Sequence, residues 1–183
     1  MTRIVAGTHG GRRLHTPAGD TTRPTSDRVR EAMFSSIASE LGGLKGLRVL
    51  DLFAGSGALG IEALSRGAAV ADLVESDQRT AQVIRRNVAD LGLDGARVHR
   101  TTAQRFVRTP PSAPYDLVLL DPPYALAGDD LATLVAGLDI PVWRTPESLV
   151  VVERATRDGW EWPAGIEPLR DRAYGETALW YGR

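Results

Sequence analysis

Cysteine is absent from the 183-residue chain, so no disulfide framework and no Cys-based zinc or iron–sulfur site is available to it. The three histidines, His9, His15 and His99, show no metal-ligand spacing, and no metal is expected. No apolar run approaches the roughly 18–20 residues of a membrane span. The opening Met-Thr-Arg-Ile-Val-Ala-Gly lacks the apolar stretch of a signal peptide. Internal repeats and low-complexity tracts are missing too. Together these absences predict a cytoplasmic protein with no membrane partner. What is present is ordinary globular composition, 43% hydrophobic and 25% charged, which excludes disorder as the main state.

Lysine is nearly absent as well: of 22 basic residues only Lys45 is not arginine. The formal net charge of −1 hides an uneven distribution. Residues 1–30 hold Arg3, Arg12, Arg13, Arg23, Arg28 and Arg30 against Asp20 and Asp27, a balance of +4, while the rest of the chain balances at −5. A basic arm on an acidic body is a nucleic-acid signature, although a solvated face and base composition explain arginine equally well.

Residues 3–5 and 12–15 read as a small hairpin, followed by a Pro/Thr/Gly-rich loop at 16–26. Ser26 can cap a helix whose Val29, Met33, Ile37 and Leu41 recur every four residues. From residue 47 strands and helices alternate: strands at 47–52, 70–75, 96–100, 115–121 and 148–153, helices at 58–66, 77–91 and 128–138. The tail, 166–172 and 176–182, reads as a hairpin around Gly175. This alternation predicts an α/β fold, a doubly wound, mostly parallel sheet with an antiparallel terminal strand. Residues 1–42 are expected as a hairpin-plus-helix extension and residues 43–183 as the main domain.

Gly55, Gly57 and Gly60 follow the first core strand and fit G-x-G-x-x-G. Glu75 ends the next strand, 20 residues after Gly55, where a carboxylate can accept hydrogen bonds from ribose hydroxyls. NAD and S-adenosylmethionine (AdoMet) sites share this plan. Asp51, directly before the loop, favours AdoMet: a carboxylate repels a pyrophosphate and attracts an ammonium group.

Asp121, Pro122, Pro123 and Tyr124 stand at the carboxyl end of the fourth core strand. The two prolines stiffen the loop and present a carboxylate, a carbonyl and an aromatic ring. The Asp121 carboxylate and Pro122 carbonyl can accept the two hydrogens of an exocyclic amine. Tyr124 can stack on its base. Asp-Pro and Pro-Tyr are also common turn sequences; the glycine loop, Asp51 and Glu75 upstream decide against that bland reading.

In this order the motifs resemble the amino-methylating branch of class I AdoMet-dependent methyltransferases. More closely, the chain resembles the RsmD family of 16S rRNA guanine-N2 methyltransferases. The residues that carry this are Arg23-Pro-Thr-Ser-Asp-Arg-Val-Arg-Glu31 and Phe53-Ala-Gly-Ser-Gly-Ala-Leu-Gly-Ile-Glu-Ala-Leu-Ser-Arg66, with Arg-Ile-Val-x-Gly at the start. The resemblance implies a Rossmann-like seven-stranded sheet. It implies AdoMet as cofactor and methyl transfer to N2 of one guanine, position 966 in the usual rRNA numbering, within the 30S subunit or an assembly intermediate. Carried over by motif, Asp51, Phe53, Ala54, Gly55, Ser56, Gly57, Glu75, Ser76, Thr102, Ala103 and Thr25 would hold AdoMet. Asp121 to Tyr124 would hold the target base, and Arg12, Arg13, Arg23, Arg28 and Arg30 would meet RNA. A monomer is expected. Many class I enzymes carry an Asp after the third strand to read the adenine amine. This chain has Thr102-Ala103-Gln104 instead, so backbone groups of Ala103 are the expected contact.

Three other readings compete. An adenine-N6 methyltransferase shares Asp-Pro-Pro-Tyr, but the chain leaves little room for a target-recognition domain. A dinucleotide oxidoreductase leaves Asp51 and the tetrapeptide unexplained. A non-catalytic rRNA-binding factor would not need an intact motif set. Trp143, Trp160, Trp162 and Trp180 read as packing residues.

Overall fold

The structure is a computed structural model and describes residues 2–17, 26–123 and 125–183. Strands β1 (Thr2–Arg3) and β2 (Arg13–Leu14) form a small antiparallel hairpin. Helix α1 (Asp27–Leu41) follows, capped by the Ser26 hydroxyl, which accepts from the Val29 amide. The core then runs β3 (Arg48–Asp51), α2 (Ala58–Ser65), β4 (Val70–Glu75), α3 (Gln78–Leu91), β5 (Ala96–Arg100), α4 (Ala103–Phe106), β6 (Tyr115–Leu120), α5 (Gly128–Ala136) and β7 (Arg144–Ala155). Strands β8 (Pro168–Tyr174) and β9 (Thr177–Gly182) close the chain as a hairpin around Gly175.

The seven core strands lie in the order β5-β4-β3-β6-β7-β9-β8. Strands β3 to β7 are parallel, and β9 runs antiparallel between β7 and β8. The chain leaves β3 outward to β5 and returns to β6 on the other flank of β3. That reversal opens a crevice beyond the carboxyl ends of β3 and β6, where open α/β sheets take their ligands. The expected doubly wound sheet with an antiparallel strand near its end is therefore present. Two elements differ from expectation. Strand β7 begins at Arg144, because the Ser148 hydroxyl donates to the Tyr115 carbonyl at 2.6 Å and bridges an irregularity in the pairing. Helix α4 is an addition to the expected elements; four residues leave too short an apolar pattern to read.

Alternation along the strands builds the two faces. Val49, Leu117, Leu119, Leu149 and Val151 point to one face, where Met33, Phe34 and Ile37 of α1 and Leu59 and Ala63 of α2 cover them. Leu50, Val118, Leu120, Val150 and Val152 point to the other, under Leu131, Leu134 and Val135 of α5 and the indoles of Trp143 and Trp160. Helix α1, within the segment expected as an extension, thus packs in the sheet's own apolar layer.

The hairpin docks separately. Ile4 and Leu14 pack on Ile61 and Leu91. Beneath them Glu62, fully buried in α2, accepts hydrogen bonds from the amides of Val5 (2.7 Å) and Ala6 (2.9 Å). Its charge faces Arg66 at 2.8 Å and Arg30 at 3.8 Å. A buried carboxylate is tolerable only when paired and hydrogen-bonded, and here both conditions hold. Asn87, also buried, bonds both the amide and the carbonyl of His15, so the hairpin's exit is pinned to α3.

Candidate active site at the carboxyl edge of the sheet

Asp51 ends β3 and is fully buried. Its Oδ2 accepts the Gly60 amide at 3.1 Å, while Oδ1 is buried with no hydrogen-bond partner among the described residues. Burial pushes this carboxyl up to about 7. The amides of Gly60 and Phe53 pull it back, and the charges of Asp121 and Glu75 add to the rise. Two carboxylates from neighbouring strand ends therefore lie close enough to feel Asp51.

The glycine loop turns between β3 and α2. Gly55 and Gly57 take positive φ, 54° and 83°, which side chains resist. A Cβ on Gly55 would meet nothing within 4 Å, so the loop leaves open space there. Gly60 has the opposite reason: a Cβ there would collide with the Leu73 side chain. The loop is tied down by Ala54 N–H to the Val74 carbonyl (2.9 Å) and by Asn87 Nδ2 to the Ser56 carbonyl (3.0 Å). Phe53 is half-buried and packs against the α5 face.

Glu75 ends β4. Its Oε2 accepts the Gly55 amide at 3.1 Å and its Oε1 the Asp77 amide at 2.8 Å. The carboxylate is thus held in plane beside the glycine loop, with lone pairs left on each oxygen for further donors. Ser76 is exposed next to it. Past β5, the Thr102 hydroxyl caps α4 by accepting the Arg105 amide at 3.2 Å, and Ala103 is buried at the start of that helix. The Thr101 amide donates to the Glu75 carbonyl at 3.1 Å, which brings the two strand ends together.

Asp121 follows β6, with Pro122 buried and Pro123 exposed. The loop folds back through Leu126 N–H to the Pro123 carbonyl (2.9 Å). Arg154, nearly buried at the end of β7, donates from Nη1 to the Leu126 carbonyl at 3.0 Å. Tyr124, Arg23 and Thr25, all named from the sequence, lie outside the described residues.

The structure brings Asp51, the glycine loop, Glu75, Thr102, Ala103 and Asp121 to one edge. The arginines do not share one fate. Arg12, Arg13 and Arg28 are exposed. Arg30, expected to meet RNA, is buried: its guanidinium bonds the Arg3 carbonyl and Asp27 and faces Glu62. Burial lowers its pKa, opposed mainly by Glu62 and Asp27. Helix α1 turns this residue onto α2, so it holds the hairpin to the core and presents nothing to solvent. Sequence reading missed Glu62. Its signal was an acid flanked on a short helix by Leu59, Ile61, Ala63 and Leu64, which leaves no solvent face for it. Arg154 left no local signal.

Sheet order, crevice and motif placement define a class I methyltransferase. Comparison with known proteins then narrows the class. The family model described as Conserved hypothetical protein 95 matches residues 2–183. Ribosomal RNA small subunit methyltransferase D of Escherichia coli K12 is 37% identical over 177 residues, covering 96% of this chain and 86% of that protein. The solved yhhF structure of Escherichia coli superimposes with TM-score 0.84 at 35% identity, covering 99% of this chain and 97% of that one. A hypothetical protein of Thermus thermophilus superimposes with TM-score 0.80 at 28% identity, covering 99% of this chain and 98% of that one. The chain belongs to the RsmD family.

Among the described residues, no group of side chains could hold a metal ion, and no helix is long and apolar enough to cross a membrane.

Proposed function

We propose that this chain methylates the exocyclic N2 amine of a guanine in 16S rRNA, with AdoMet as methyl donor and the 30S subunit or an assembly intermediate as substrate. The observation that carries the reading is the buried, unsatisfied Oδ1 of Asp51 beside Asp121 and Glu75. A buried carboxylate with one oxygen unsatisfied and no cation beside it calls for a cation, and AdoMet has an ammonium and a sulfonium. A dinucleotide would place a pyrophosphate near the same carboxylates. The residues therefore fit AdoMet: Asp51 on the ammonium side, the Phe53 to Gly57 loop along its length, Glu75 and Ser76 at the ribose, and Thr102 and Ala103 at the adenine.

Bound there, AdoMet supplies an electrophilic methyl group. The chain's own part is orientation. The Asp121 carboxylate and the Pro122 carbonyl accept the two amine hydrogens, which aims the nitrogen lone pair and stabilises charge as it develops. Tyr124 stacks on a base that must be unpaired or flipped out. The exposed Arg12, Arg13 and Arg28 meet phosphates. Held by Glu62, the hairpin carries its arginines on a fixed platform, and the enzyme acts as a monomer in the cytoplasm.

Incubation with labelled AdoMet and unmodified 30S particles, followed by nuclease digestion, tests this. Label in N2-methylguanine from 16S rRNA is the expected result. Label in N6-methyladenine, or none, overturns it.

A further inference from the structure

Away from the carboxyl edge, the sheet face under α4 carries a second cleft of about 420 Å³. In the outer part of this face, over β4 and β5, a four-residue helix and the loop at 107–114 are the only cover among the described residues. Alternation then leaves polar side chains where an apolar layer would otherwise sit. Asp72 of β4 and Tyr115 of β6 form the floor, and the Tyr115 hydroxyl donates to Asp72 Oδ2 at 2.9 Å. His99 of β5 meets Asp72 Oδ1 at 2.6 Å. The single carboxylate of the cleft is thereby consumed.

The cations are not. Arg48, Arg97 and Arg105 line the cleft with His99, Thr101 and the ring of Phe106. Neither Arg97 nor Arg105 makes an ion pair with any described residue, and both are exposed. The guanidinium of Arg48 lies over the Tyr115 ring, 5.4 Å from its centroid, and its buried Nε has no hydrogen-bond partner. A concave site of this size, with three guanidiniums against one satisfied carboxylate, is built for an anion. Planar forks of donors select phosphate, and Phe106 with the Pro110-Pro111 rim gives an apolar wall for a sugar or base.

We propose that this cleft holds a backbone phosphate of the RNA substrate, as a second contact independent of the N-terminal hairpin. Its upper end is Thr101, whose amide bonds Glu75. Asp72 lies three residues before Glu75 on β4, about 10 Å at strand rise. RNA whose target base enters at Asp121 can therefore reach the cleft along the same side of the molecule. The hairpin packs on α2 and α3, across the sheet, so the substrate is gripped from both faces.

The identity of the phosphate rests on the rRNA reading above, and the test separates the two. The variant Arg97→Glu/Arg105→Glu changes two exposed side chains, and AdoMet titration and circular dichroism check that it folds. Expected is at least a tenfold loss of affinity for unmodified 30S particles, with a log–log salt slope smaller by about 0.7 to 0.9, the share of the one phosphate released. Arg172→Glu, on exposed β8, is the control and should leave both unchanged. Pyrophosphate titrated into wild type and variant distinguishes the source. Heat lost in the variant with RNA affinity unchanged keeps an anion site but assigns it to a free phosphate compound. RNA affinity, salt slope and pyrophosphate heat all unchanged overturn the proposal. If the wild type methylates no rRNA, the functional reading fails instead, while the pyrophosphate arm still reports on the cleft.

Discussion

Asp51 and Gly60 meet through one hydrogen bond, the Gly60 amide donating to Asp51 Oδ2 at 3.1 Å, and the second carboxylate oxygen is left buried. Burial raises this group from 3.8 to about 7. Below about pH 4 both folded and unfolded chains hold the proton. Between about pH 4 and 7 the folded chain keeps a proton that the unfolded chain has lost, so ligand-free stability falls as pH rises through that window. That rise, from 3.8 to about 7, corresponds to on the order of 4 kcal/mol. Urea unfolding across this range should show the decline, and Asp51→Asn should flatten it.

AdoMet affinity should move the other way, because only the ionised carboxylate attracts an ammonium. Calorimetric titration should show affinity rising about tenfold or more between about pH 5.5 and pH 7 in the wild type. The Asn variant should bind weakly at every pH. A wild-type affinity flat over that range would remove Asp51 from the cofactor's ammonium.

Much of the fold was open to reading because its signals are local. Ser26 three residues before Val29, the four-residue spacing of Val29, Met33 and Ile37, and the alternation of strands and helices depend on neighbours a few positions away. The candidate edge was legible for the same reason: Asp51 and Glu75 end strands, Gly55 and Asp121 follow strands, and the doubly wound topology gathers strand ends together. Arg30 was read incorrectly as an RNA contact because its fate depends on Glu62, 32 residues on. A helix periodicity gives the face a residue occupies, but not which helix will later cover that face. The cleft under α4 was hidden likewise: Arg48, Arg97 and Arg105 come from three separate elements, and only the register of β3, β4, β5 and β6 assembles them.

Glu62, fully buried, accepts from two hairpin amides and faces the buried Arg30 and the half-buried Arg66. Removing it leaves Arg30 charged, buried and underpaired, the costly way to break such a network. Glu62→Ala should therefore lose about 3 to 5 kcal/mol in chemical denaturation. Hydrogen exchange should rise first at Val5 and Ala6. A loss below about 1 kcal/mol, the range of an exposed pair, would mean the network is solvated.

The proposed function puts Asp121 at the target amine, so its removal should separate binding from turnover. Asp121→Ala should abolish methyl transfer to 30S particles while AdoMet still binds at a measurable level. Asp121→Asn should be intermediate, since its amide oxygen accepts a hydrogen bond without a charge to offset that on nitrogen. A loss of about 2.7 to 4 kcal/mol in the transition state, or about 10²- to 10³-fold in kcat, is typical of one missing stabilising contact. Near wild-type turnover in the alanine variant would take Asp121 out of the chemistry.

The arginines of the N-terminal segment should divide into two classes with opposite readouts. Arg12 and Arg13 stand exposed on the hairpin, the Arg12 guanidinium reaching, among the described residues, only the Asp90 carbonyl at 3.5 Å. On the proposed function, their removal takes away phosphate contacts and little packing. Arg12→Ala/Arg13→Ala should weaken 30S binding and reduce the salt slope by up to about 1.4 to 1.8, with stability within about 0.5 kcal/mol of wild type. Arg30→Ala removes a guanidinium that is 1% exposed and bonded to Arg3 and Asp27, leaving Glu62 short of a cation. It should cost about 3 to 5 kcal/mol of stability. At a temperature where the variant is still folded, its salt slope should match the wild type. Stability and slope measured on the same two variants decide the matter, because a surface arginine moves only the slope and a buried one only the stability.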